Sequence, residues 1–180
     1  MKNAILLHGT SSGPKSYWLP SLKKFLEEKG YSVWAPKLPG KYNPNLKEQL
    51  PFVLENGTFN NETIMIGHSA GCPLILSVLE NVNVKIKKAI LVAGWARPLT
   101  GTDTSLILQD KYDWEKIKSN VEEIIFINSD NDPWGCDDKE GKYMQEHLGG
   151  QLIVNHEGHM GSLRYLQPYK KFPLLEELVL

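Results

Sequence analysis

Short apolar runs alternate with longer amphipathic stretches along the chain, and this rhythm limits the possible folds more than any single residue does. Residues 4–7, 31–38, 63–66, 89–93, 124–127 and 152–154 read as strands. Residues 17–28 place Leu19, Leu22, Phe25 and Leu26 at helical spacing, and Gly30 follows as a terminating glycine. Residues 46–55 (despite Pro51), 70–79, 139–148 and 169–178 read as further helices. A repeated strand–helix order predicts a parallel sheet with helices on both faces, and continuous apolar strands fit burial on both sides. One segment, 94–120, carries no strand but has two tryptophans and the run "RPLTGTDTS". It is too long for a simple connection, and reads as a small lid or a surface excursion with a short helix near residues 113–118.

The chain has 180 residues, 41% of them apolar, enough for one domain that buries roughly 70% of its unfolded surface. A net charge of −1, with lysines interspersed among acids, argues against a nucleic-acid partner. No run approaches the ~20 apolar residues of a membrane span, and the N-terminal run is too short for a signal peptide. The expectation is a cytoplasmic protein without membrane contact. Cys72 and Cys136 show neither zinc spacing nor a redox pair, so no metal or redox site is expected.

Chemistry enters at "IMIGHSAGCPLIL", residues 64–76. Gly67-His68-Ser69-Ala70-Gly71 is a G-x-S-x-G pattern between a strand and a helix. A sharp turn there strains Ser69 and lifts its hydroxyl above the C-terminal edge of the sheet. The amide of Ala70 starts the next helix and is a candidate oxyanion donor. A serine hydroxyl needs a base and an acid that orients it. Of five histidines, His147 reads as solvated, His68 as pointing away, and His8 as a loop-fixing residue. His159 in "NHEGHMGS" is preferred over His156, because it lies on a glycine-flanked loop beyond the last strand. Among acids in "FINSDNDPWG", Asp132 is preferred over Asp130. Asp130 reads as a turn residue bonding its own backbone, whereas Pro133 restricts Asp132 to one direction. The first strand loop, "LLHGTSSG", supplies the amide of Thr10 as second oxyanion donor, Gly9 allowing close approach. Trp95, Trp114 and Trp134 are candidates for the walls of an apolar acyl pocket. Cys72, one turn into the helix, reads as a packed small hydrophobe.

With these residues in hand, the chain resembles the α/β-hydrolase superfamily, and more closely the small serine hydrolases of the YdeN and retinoblastoma-binding-protein type. The resemblance runs through "AILLHGTSSGPKSYWLPSLKKFLEEKGYSVWAPKLP", "IMIGHSAG", "SDNDPWG" and "EGHMG". It implies a triad of Ser69, Asp132 and His159 and esterase-type hydrolysis without a cofactor. It also implies about six parallel strands, without the N-terminal hairpin of larger members. The expected partner is a small-molecule ester or amide. The competing readings are a peptidase or amidase with the same triad, and a protein-interaction module on a hydrolase fold.

Overall fold

The computed structural model describes residues 1–101 and 104–180; Thr102 and Asp103, within the expected lid, lie outside the described residues. Six strands form one sheet: β1 (Asn3–Leu7), β2 (Ser32–Trp34), β3 (Thr63–His68), β4 (Ile86–Val92), β5 (Val121–Ser129) and β6 (Gln151–Asn155). Their spatial order is β2-β1-β3-β4-β5-β6, and every neighbouring pair is parallel. The helices are α1 (Leu19–Glu28), α2 (Leu46–Asn56), α3 (Gly71–Asn81), α4 (Trp114–Ser119), α5 (Asp138–Leu148) and α6 (Pro173–Leu178).

That order places the site. The chain leaves β1 in one direction to β2, then returns past β1 and continues the other way to β6. Right-handed crossovers therefore send α1 to one face and α2–α5 to the other. The contacts agree, since α1 packs on α6, while α2, α3, α4 and α5 touch in succession. The direction reverses between β1 and β3, and the crevice beyond their carboxyl ends is where open α/β sheets bind ligands.

The core follows burial. All residues of β1 and β3 are buried, and α3 is buried continuously from Gly71 to Leu79, as expected of a central helix. Asn45 caps α2, its side chain accepting from the Lys47 amide at 3.0 Å. That helix continues through Pro51, whose ring faces outward.

Three expectations are corrected. β2 covers only Ser32–Trp34 instead of 31–38, because it is an edge strand and Pro36 and Pro39 follow it at once. The last helix begins at Pro173 instead of residue 169; a proline is well placed at a first helical position, and Tyr169 has φ +36°. Burial on both faces fails for β6, the other edge, where Val154 is half exposed. The described part of 94–120 buries Trp95, Leu99, Ile107, Tyr112 and Ile117, so it is seated on the core. Among the described residues, no helix is long and apolar enough to cross a membrane.

Candidate active site

β3 ends at His68, α3 begins at Gly71, and Ser69 sits between them at φ +53°. A residue with a side chain pays about 1–3 kcal/mol for such a conformation, so the surrounding packing must hold it there. The Ser69 amide donates to the Val92 carbonyl at the end of β4, 2.9 Å away. A Cβ on Gly71 would run into the Leu7 carbonyl, and one on Gly9 would lie 2.8 Å from the Ser69 Cβ. Both glycines are thus required by close approach: the loop after β1 passes directly against the serine. His8 fixes that loop from below. Its Nδ1–H donates to the Gly9 carbonyl (2.9 Å), its Nε2 accepts from the Leu38 amide (3.0 Å), and burial lowers its pKa.

The loops beyond β5 and β6 meet at an acid–base pair. His159 Nδ1–H donates to Asp132 Oδ2 at 2.7 Å, with the imidazole 7% and the carboxylate 0% exposed. The bond fixes the tautomer, leaving Nε2 as an acceptor. Asp132 Oδ1 accepts from the Trp134 amide at 2.8 Å. Here a detail of the sequence reading is reversed: Asp132 makes the turn bond to its own backbone, and Asp130 does not. Asp130 instead pairs with His156 at 2.6 Å, where the side chains are 52% and 77% exposed. The two candidate acids and two candidate bases thus sort into two pairs, one buried and one in water. Of these two histidines, the buried His159 lines the same cavity as Ser69.

That cavity, about 430 Å³, opens above the β1–β3 crevice and is also walled by Thr10, Trp95 and Trp134. Thr10 is exposed at the β1 loop and Ala70 is buried at the start of α3. Among the described residues, neither amide donates to another group. Trp95 is buried in the wall with its indole N–H unpaired. Trp134 lies 6.4 Å from the His159 ring, centroid to centroid. Trp114 is not brought to the cavity. It lies on α4 with its ring 5.0 Å from Tyr112 and 4.7 Å from His147, and so joins α4 to α5. His147, expected to be solvated, is half-buried in that cluster.

His68 matters more than its sequence position suggested. It is buried beneath His159, with ring centroids 5.0 Å apart, and its Nε2–H donates to the His159 carbonyl at 3.0 Å. Burial pushes its pKa down to about 3, so it stays neutral. Trp18 Nε1–H donates to the next carbonyl, Met160, at 3.0 Å. The His159 amide donates to Gln167 Oε1 at 2.9 Å. His68 and Trp18, remote in sequence, and the nearby Gln167 thus hold the histidine loop, which includes Met160 at φ +50°. No periodicity signals such partners, and the position of His68 on the turn suggests a side chain that points away.

Asp132, Cys136 and His159 bring one ligand atom each within 4.8 Å of one another, the only such metal-type group among the described residues. Two of the three are already spent on each other through a shared proton, and burial pushes the Cys136 thiol well up. The donor set therefore fits a hydrogen-bonded pair better than a metal. Cys72 is buried, donates to the Val92 carbonyl and has its pKa raised by burial, which argues against a nucleophilic thiolate there.

The serine hydrolase family model matches residues 4–177. The protein YdeN of Bacillus subtilis (strain 168) is 30% identical over 166 residues, 88% of this chain and 85% of YdeN. Serine hydrolase RBBP9 of Rattus norvegicus is 28% identical over 171 residues, covering 90% and 89% of the two chains. The crystal structure of the B. subtilis ydeN gene product superposes with a TM-score of 0.87 at 24% identity, over 99% of this chain and 97% of that one. By the extent of the family match and the YdeN identity, this chain belongs to the serine hydrolase family.

Proposed function

We propose that the protein is a carboxylesterase-type serine hydrolase that cleaves small esters through Ser69, His159 and Asp132. The observation that carries this reading is the buried 2.7 Å bond from His159 to Asp132 beside a strained serine in the same cavity. An interaction module has no use for such an arrangement.

In this mechanism Ser69 Oγ attacks the ester carbonyl carbon while its proton passes to His159 Nε2. Asp132 keeps Nδ1–H directed and stabilises the imidazolium. The carbonyl oxygen becomes an oxyanion, which the Thr10 and Ala70 amides receive. The tetrahedral carbon then expels the alcohol, which takes the proton from Nε2 and leaves Ser69 acylated. A water attacks the acyl carbon, gives its proton to Nε2, and the acid departs as Oγ recovers that proton. Peptide or amide cleavage would use the same residues with a poorer leaving group.

The cavity lies at the small end of the range for ligand pockets, and Trp95, Trp134 and Leu99 wall it with apolar surface. Short acyl groups should therefore be preferred. A series of p-nitrophenyl esters below their micelle-forming concentrations tests this. Acetate and butyrate should be cleaved and palmitate barely. Rates that keep rising beyond about ten acyl carbons would contradict a closed acyl pocket.

A further inference from the structure

The chain balances 20 basic against 21 acidic residues, yet the walls of the cavity mouth are not balanced. Residues 9–11, 17, 42–44, 159 and 161–164 supply much of the cavity's lining. The segments that contain them, 9–18, 37–47 and 158–172, carry Lys15, Lys37, Lys41, Lys47, Arg164, Lys170 and Lys171 and no Asp or Glu, and Arg164 lines the cavity itself. Glu48 and Glu157 fall just outside them. Elsewhere seven lysines and arginines form ion pairs; among the described residues, none of these seven does. Two of them lie on rings that line the cavity. The Arg164 guanidinium is 5.1 Å from the Trp134 ring centroid, and Lys41 Nζ is 4.6 Å from that of Tyr42.

We propose that the pocket selects esters that carry a second, ionised carboxylate, with the reacting carbonyl at Ser69 and the carboxylate at Arg164. This rests on the hydrolase reading above. Arg164 in the cavity wall, Lys41 on a lining ring and further cations on the flanking segments attract anions and raise their local concentration. The guanidinium matches a carboxylate with two parallel N–H···O bonds, and stacking on Trp134 reduces the ordering cost of making them. Trp134 is in turn next to His159, so the anion sits one aromatic ring away from the reacting centre. A chain of several bonds between the two carbonyl groups spans that gap, while the apolar wall receives its methylenes.

The test compares mono-4-nitrophenyl adipate with its methyl ester, 4-nitrophenyl methyl adipate, in which a methyl group masks the distal charge. The acid should have the higher kcat/KM at low salt, by about tenfold and mostly through KM. The ratio should shrink toward one in 0.5 M NaCl, since about 4 Å of Debye length remains there. Arg164→Gln should collapse the ratio, Arg164→Lys should keep part of it, and Lys41→Gln should lower it. The ratio is the readout, so a general loss of activity does not mimic the effect; if Arg164→Gln does not fold, the salt dependence and Lys41→Gln decide. A flat ratio for two cleaved esters, or a preference indifferent to salt and to Arg164, overturns the anion subsite alone. Cleavage of neither ester, together with no fluorophosphonate labelling, removes the hydrolase reading and this proposal with it.

Discussion

Four side chains, two aspartates and two histidines, could serve as acid and base at the ends of β5 and β6, and burial separates them. Asp132 and His159 interact where water is nearly excluded, so their orientation is held; Asp130 and His156 interact in solvent, where an ion pair contributes at most about 1 kcal/mol. His159→Ala and Asp132→Asn should each lower kcat/KM for a short ester by about 10³-fold or more, and Ser69→Ala by on the order of 10⁴–10⁶. His156→Ala and Asp130→Asn should stay within about threefold of the parent and shift stability by less than about 1 kcal/mol. Steady-state kinetics on the five variants decides it, and a larger loss from the exposed pair would reverse the assignment. That Asp132 and His159 come together was legible in the sequence from loop position. The local role of each aspartate was not, because whether a carboxylate bonds its own backbone depends on a side-chain rotamer set by packing.

At the scale of elements, periodicity recovered all six strands and every helix but α4, which the sequence offered only as one of two readings of 94–120, because an apolar run between breakers has few other uses. It failed where packing, and not periodicity, sets the outcome. Pro36 and Pro39 cut β2 short, and Pro173 fixed the start of α6. Trp114 was expected at the pocket because it falls in the segment 94–120. The direction in which α4 presents it depends on α5, nearly thirty residues further on. Trp114→Ala should therefore cost stability, on the order of 2 kcal/mol, below the range for a fully buried indole. Its effect on ester hydrolysis should be small. Thermal unfolding read beside kcat/KM separates the two, and a loss of activity without a loss of stability would return Trp114 to the pocket. Arg164 escaped the sequence reading for a similar reason: an arginine in a loop acquires meaning only from the ring beneath it.

The whole molecule carries an acid liability in the same residues that hold the His159 loop. His68 is buried neutral with a pKa near 3, and His8 is lowered too. In the unfolded chain both take up protons near pH 6.5. Between about pH 6.5 and 3 the unfolded state therefore binds more protons, so stability falls as pH falls. His68 alone contributes a slope of up to about 1.4 kcal/mol per pH unit in that window. Denaturant unfolding from pH 7 to 4 should show this slope, reduced by about one proton in His68→Gln. A variant that unfolds with an unchanged pH dependence would mean that His68 is hydrated and protonated in the folded protein.

The central claim is that Ser69 is an activated nucleophile, with His159 and Asp132 supplying the activation. Fluorophosphonate labelling followed by peptide mass spectrometry tests it most directly, because the probe reacts with activated serines whatever the natural substrate. One adduct per chain is expected, on Ser69, formed rapidly in the parent protein and lost in Ser69→Ala. The same adduct should form far more slowly in His159→Ala. A folded protein that takes no label, or one labelled at another serine, would contradict it.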